Sequence, residues 1–295
     1  MSKETIRIYL ARYPQLSLPV ADGMSNDPRY QNIVRRGILP EGELPNPFTG
    51  TDEDAQLTLE TPAGPVEELY LAYRPDFERF IQVISGRCEP ISIPKTTGAI
   101  TFFHLTNWHK ILERRAAYEA DGGIDWPAEF ARFTADRANY QDTLVLVSNG
   151  PNSGLPAARA GFGEKEWLEI SRKIRIYHEA THVVCGRRWP LHKEPIRDEV
   201  LADCIGLLGA TGRYDAALAS RLLGVEGNAY TPGGRLENYA HPGETLAEAA
   251  QRAKRIVAAC RTVCLAHPGL APFALLSRLE DNEVGMEKSS APTPQ

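Results

Sequence analysis

His178-Glu179-Ala180-Thr181-His182 fits the pattern H-E-x-x-H and lies in a stretch with helical periodicity. Trp167, Ile170, Ile174, Tyr177 and Thr181 recur at helical spacing, which gives the stretch a core-facing side. Gly163-Glu164-Lys165-Glu166 opens it, with acids in the first turn where the helix dipole favours them. Gly186 is a candidate stop, Arg187 and Arg188 suit the negative end, and Pro190 blocks continuation. The motif therefore falls in the last turns of a helix of roughly 20 residues, long enough to cross a domain.

On such a helix His178 and His182 stand one turn apart on the same face. That spacing lets two imidazoles converge on one tetrahedral zinc ion. Glu179 follows the first histidine and can reach a water on the metal without being a ligand. A carboxylate so placed can act as base in the attack on an amide or ester carbonyl.

A second helix is expected from Pro195-Ile196-Arg197-Asp198-Glu199-Val200-Leu201-Ala202-Asp203-Cys204, with proline near its first turn. Ile196, Val200, Cys204, Leu207 and Leu208 form its apolar stripe. Glu199 and Asp203 are four apart on an adjacent face, where they repel unless something positive lies opposite. Zinc held by Glu199, with Asp203 accepting the outer N–H of a ligand histidine, accounts for the pair. Blander accounts stand beside this one: a pair of core histidines that bind nothing, and two surface acids. Asp203 in place of Glu199 as ligand is another alternative. His192 is either a ligand from the loop or an ordinary surface histidine.

With His178, Glu179, His182, Glu199 and Asp203 in place, the chain resembles the gluzincin group of zinc metallopeptidases. Their signature is H-E-x-x-H on one helix and a ligand glutamate on a later one, often followed four residues on by Asp. The resemblance implies Zn2+ bound by His178, His182 and Glu199, with Glu179 as general base and Asp203 as partner to a ligand histidine. It covers only about residues 164–210. The stretch between His182 and Glu199 is shorter than in the best-known members, so the connection must be tighter. A metzincin reading fails, because Cys185 occupies its glycine position and Arg188 its third-histidine position.

Length and composition suit an enzyme. The 295 residues can bury a large core as one big domain or two lobes. Apolar content is 42% and charged content 24%, ordinary for a soluble globular protein. A net charge of −5 gives no sign of nucleic-acid binding. Arg172, Lys173, Arg175, Arg187, Arg188, Lys193 and Arg197 surround the zinc motif in sequence. They either favour an acidic substrate or form a solvated helix face with dipole-balancing arginines. Arg7 and Arg12 interrupt the N-terminal segment, which argues against a signal peptide, and no later run could span a bilayer. Five scattered cysteines suggest free thiols in a reducing cytoplasm. Cys260, Cys264 and His267 stand at i, i+4 and i+7 on an expected helix, either as a metal face or as buried small side chains.

The pattern changes near residue 160, so we expect an α+β protein: a mixed α/β lobe over 1–160, a helical zinc-binding lobe over 161–282 and a disordered tail over 283–295. In the first lobe Thr5–Tyr13, Glu67–Tyr73, Ala99–His104 and Thr143–Ser148 read as strands. Asn107–Ala120 and Pro127–Tyr140 read as helices, and residues 38–66 as a long loop or irregular hairpin. Beyond the zinc helices, Tyr214–Leu223, a long helix from about Leu246 and Pro272–Leu279 read as helical. Thr245-Leu246-Ala247-Glu248 is a capping-box pattern for the long one.

The lobe order is similar to that of gluzincins, whose metal site lies between the lobes. By that similarity Thr143–Ser148 is a cleft-edge strand to which a peptide adds. Its unalternating Leu144-Val145-Leu146-Val147 equally suits an interior strand. The resembled enzymes commonly stabilise the oxyanion with a His or Tyr of the helical lobe, which makes Tyr239 and His241 candidates, with Tyr230 behind them. The expected activity is cleavage of a peptide or small amide, without nucleic-acid or membrane partners. Two other classes stay open: zinc held purely for structure, and a non-catalytic zinc-binding protein of zincin-like fold with a binding or regulatory role.

Overall fold

The computed structural model describes residues 2–227, 229–282 and 284. The chain is α+β and divides into two compact units. The first runs to Leu59 and resumes over Val66–Asn149; the second comprises Glu60–Pro65 and the chain from Gly150 onward.

The first unit contains α1 (Ser2–Arg12), α2 (Pro28–Tyr30), β1 (Ala55–Leu59), β2 (Val66–Leu71), α3 (Arg74–Ile84), β3 (Ala99–Thr106), α4 (Trp108–Ala120), α5 (Trp126–Thr134) and β4 (Gln141–Ser148). Its sheet has the order β1-β2-β4-β3. β1 and β2 form an antiparallel hairpin, β2 and β4 pair in parallel, and β3 runs antiparallel to β4. β4 thus has a neighbour on each side, which overturns the cleft-edge expectation for Thr143–Ser148. Leu144 to Val147 are fully buried, and burial on both faces explains why the run does not alternate.

Three expectations for this unit are corrected. Thr5–Tyr13 is helical rather than a strand, because Ile6, Tyr9, Leu10 and Tyr13 bury one face at helical spacing. Helix α5 stops at Thr134, and Asp136 begins a separate short turn by accepting a hydrogen bond from the Ala138 amide. Residues 38–66, expected as a long loop or irregular hairpin, end in a regular one: β1 pairs antiparallel with β2, though its mostly exposed positions carry no buried alternation to mark a strand. Helix α3, with Pro75 in its first turn, places Phe77, Phe80 and Ile81 in the core with Tyr9, Leu69 and Leu146.

The second unit contains α6 (Ala157–Ala160), α7 (Glu164–Arg188), α8 (Pro195–Thr211), α9 (Ala216–Leu222), the short strands β5 (Val225–Glu226) and β6 (Ala229–Tyr230), α10 (Leu246–Ala266) and α11 (Pro272–Asp281). Trp167 stacks on Phe162 and donates its indole N–H to the Leu155 carbonyl at 2.7 Å. With Ile174, Leu207 and Leu222 it forms one core cluster. Helix α7 passes through the expected stop at Gly186 and ends at Trp189, one residue before Pro190. Helix α8 is buried on nearly every side, packed by α7, α10 and α11. Its N-terminus is capped by the Glu194 side chain, which accepts from the Ile196 and Arg197 amides. The capping box at Thr245 and Glu248 starts α10 as expected.

Two glycines let α7 and α8 approach. A Cβ at Gly206 would stand 2.9 Å from the Ile174 carbonyl oxygen, and one at Gly209 would meet the Tyr177 ring at 2.4 Å. Val284 is buried and accepts a hydrogen bond from Arg197 Nε; the rest of the 283–295 tail lies outside the described residues. Among the described residues no helix is long and apolar enough to cross a membrane.

Candidate metal centre

His178 and His182 project from neighbouring turns of α7 toward Glu199 in the second turn of α8. The two Nε2 atoms are 3.1 Å apart. Nε2 of His178 is 3.4 Å from one Glu199 oxygen, and Nε2 of His182 is 3.3 Å from the other. A tetrahedral ion about 2.0–2.1 Å from each ligand implies ligand separations of about 3.3 Å. Each of these three separations is close to that value, and one donor atom from each side chain lies within 4.8 Å of the others. Among the described residues this is the one group of three His, Cys, Asp or Glu side chains drawn close enough to hold a metal. Glu199 Oε2 is buried, with only the longer approaches of His178 Nε2 at 3.4 Å and the Arg235 guanidinium at 3.5 Å to compensate it.

Asp203, one turn beyond Glu199, is fully buried and stands 2.9 Å from Nδ1 of His178. A neutral His178 with its proton on Nδ1 toward Asp203 presents its Nε2 lone pair to the triangle of donor atoms. Burial alone would lower the pKa of His178. Hydrogen bonds to Asp203 and Glu199, reinforced by their charges, outweigh it and push the metal-free imidazole up to about 10. For Glu199 burial acts upward, but the two histidines and Arg235 hold its carboxyl well below the usual range.

The expected catalytic residues fall in different places. Glu179 follows His178 on α7 and is half-buried. Tyr239 reaches the centre: burial first, then the neighbouring Glu199 carboxylate, raise its phenol above the ordinary value. His241 joins a separate group. Its Nε2 is 2.8 Å from Arg252 and 3.3 Å from Glu194 at the start of α8. Tyr230 donates its hydroxyl to the Gly234 carbonyl at 2.9 Å. His192 is held 3.0 Å from Glu280.

Sequence reasoning missed Arg235. Its guanidinium pairs with Asp203, lies 3.5 Å from Glu199 and donates to Ser153 Oγ at 3.1 Å. It follows Pro232-Gly233-Gly234 at the start of a short 3-10 turn (Arg235–Asn238), where no spacing marks it. The basic run around the motif is divided. Arg197 is fully buried against Glu280 at 2.6 Å, Arg175 donates to the Pro151 carbonyl at 2.8 Å, and Arg187 and Arg188 are exposed.

The chain is thus an α+β protein whose second, largely helical unit brings two histidines and a glutamate together, with a second carboxylate behind one histidine. The chain belongs to the family of unknown function DUF7005, whose model matches residues 2–266. No curated protein and no solved structure matches it.

Proposed function

We propose that the protein is a zinc-dependent hydrolase of gluzincin-like build, acting on a peptide or small amide bond in the cytoplasm. The observation that carries this reading is the triangle of His178, His182 and Glu199, backed by Asp203. Zinc bound there supplies a Lewis acid for the scissile carbonyl and lowers the pKa of water. Glu179, beside the first ligand, accepts the proton of the attacking water and delivers it to the leaving amine. Tyr239, a phenol protonated at neutral pH and raised further by burial and Glu199, can donate a hydrogen bond to the developing oxyanion. Of the two oxyanion candidates, Tyr239 is favoured over His241, which is engaged by Arg252 and Glu194. Arg235 and Asp203 hold the ligand carboxylate and imidazole in register.

The test is metal content by mass spectrometry on untagged protein, wild type beside His178→Ala, followed by turnover on a peptide library. About one zinc per chain in the wild type, lost in the variant, is expected. Glu179→Gln should then keep the metal and lose activity. Absence of metal in both proteins after zinc is added back and excess removed would end the hydrolase reading. A second reading, a non-catalytic protein of the same fold with a binding or regulatory role, is favoured by Arg235, which already sets a positive charge against Glu199 and Asp203. Zinc uptake with no turnover on the library would support it.

A further inference from the structure

The five cysteines of the chain are free, and three of them gather where α8 meets α10. Cys204 follows Asp203 on α8; Cys260 and Cys264 are one turn apart on α10. Cys204 Sγ lies 3.7 Å from Cys264 Sγ, and Cys204 and Cys260 are buried while Cys264 is half-buried. The Tyr214 hydroxyl near these thiols is also buried and makes no hydrogen bond. The candidate metal centre uses none of these groups.

We propose that Cys264 and Cys204 form a peroxide-oxidisable dithiol, with Cys264 the attacking sulfur, Cys204 the resolving sulfur and a hydroperoxide the oxidant. The geometry sets the roles. Cys264 is the more accessible of the pair, so a small oxidant meets it first. Cys204 sits beside it at van der Waals distance, with 3.7 Å between the sulfurs to close to a bond of about 2.05 Å. The hydrogen bond from the Cys204 thiol, the leading influence on Cys264, lowers its pKa against the opposing effect of burial. Cys204 itself is held protonated by its contacts with Cys260 and Cys264, followed by burial. An accessible thiol of lowered pKa beside a resolving partner is the arrangement of redox-sensing cysteines.

The chemistry balances. The Cys264 thiolate attacks one peroxide oxygen; the O–O bond breaks, the sulfur becomes a sulfenic acid, and water or an alcohol leaves with the Cys264 proton. Cys204 then attacks the sulfenic sulfur, the S–OH bond breaks, and hydroxide takes the Cys204 proton to leave as water. Two thiols are oxidised to one disulfide and one peroxide bond is reduced.

The experiment uses the full chain, reduced and then exposed to stoichiometric hydrogen peroxide, with peptide mapping under non-reducing conditions. A Cys204–Cys264 cross-link is expected to form at least tenfold faster than any oxidation of Cys88, whose thiol burial pushes up to about 12. It should be reversed by a thiol reductant. In Cys204→Ser, dimedone should label Cys264; in Cys264→Ser, neither labelling nor cross-linking should occur. Oxidation spread evenly over Cys88, Cys185 and Cys264, or sulfinic acid at Cys264 without a cross-link in the wild type, would overturn the proposal. The wild-type map decides this alone if a variant fails to fold.

Discussion

Asp203 holds Nδ1 of His178 at 2.9 Å with one carboxylate oxygen and pairs with the guanidinium of Arg235 through the other. A fully buried carboxylate is thus shared between an imidazole and a cation. It orients the first and is neutralised by the second. The candidate metal centre therefore depends on a residue that touches no metal.

Replacing this carboxylate with an amide keeps its shape and removes its charge. Asp203→Asn is expected to weaken zinc binding about 10–100-fold, the usual cost of losing the partner behind a ligand histidine. Competition against a chromophoric chelator measures it. An unchanged affinity would remove Asp203 from the centre.

The raised pKa of His178 makes the metal-free protein pH-dependent. A histidine titrates near 6.5 in the unfolded chain and near 10 here. Its stabilising contribution is therefore complete below about pH 6.5 and lost as the pH rises through about 10. Metal-free protein should lose thermal stability across that window. Zinc must displace the His178 proton, so binding at pH 8 should release at least one proton per ion. Calorimetry in buffers of different ionisation enthalpy counts it, and a release of none would contradict the assignment.

Gly206 lies on α8 between the ligand turn and the α7 backbone. Gly206→Ala forces its new methyl against the Ile174 carbonyl and Ile174 Cγ2, one turn before His178. Overpacking of this kind costs about 1–3 kcal/mol. Because the strain is relieved by parting the two helices, zinc affinity should fall together with the denaturation midpoint. Lost stability with intact affinity would show that the helices do not separate at the centre.

Arg197 and Glu280 are both buried, joined at 2.6 Å, with His192 and Cys185 also turned to the same carboxylate. Glu280→Gln leaves the buried guanidinium with only the longer, 3.6 Å contact to Asp198 as counter-charge. A loss of about 3–5 kcal/mol is expected from chemical denaturation. A change below about 1 kcal/mol would mean that water reaches the pair.

The helical unit was the legible part. Helices α7, α8 and α10 carry their own signals: acids in the first turn, Pro195, and the Thr245–Glu248 box. His178, His182, Glu199 and Asp203 could be grouped because each pair lies four apart on one helix, and helix geometry alone sets both spacings. Arg235 and Ser153 reach the same centre from two short 3-10 turns far apart in sequence, where spacing says nothing about distance. Tyr239 and His241 show the same limit. They are two residues apart, yet one faces Glu199 and the other Arg252. In the first unit, α1 was misread because its apolar and β-branched residues are dense enough to suit either period.

The parallel pairing of β2 with β4 bears on how the chain reaches its fold. Between these strands run α3, β3, α4 and α5, all of which precede the arrival of β4. Chain entropy must be surrendered over that whole span before the Glu67–Leu144 end of the ladder returns any stabilisation. Helices α7 and α8 are joined by a short connection and meet almost as soon as they form. In refolding from denaturant, helical signal should therefore lead, and insertion of β4 between β2 and β3 should set the slowest phase.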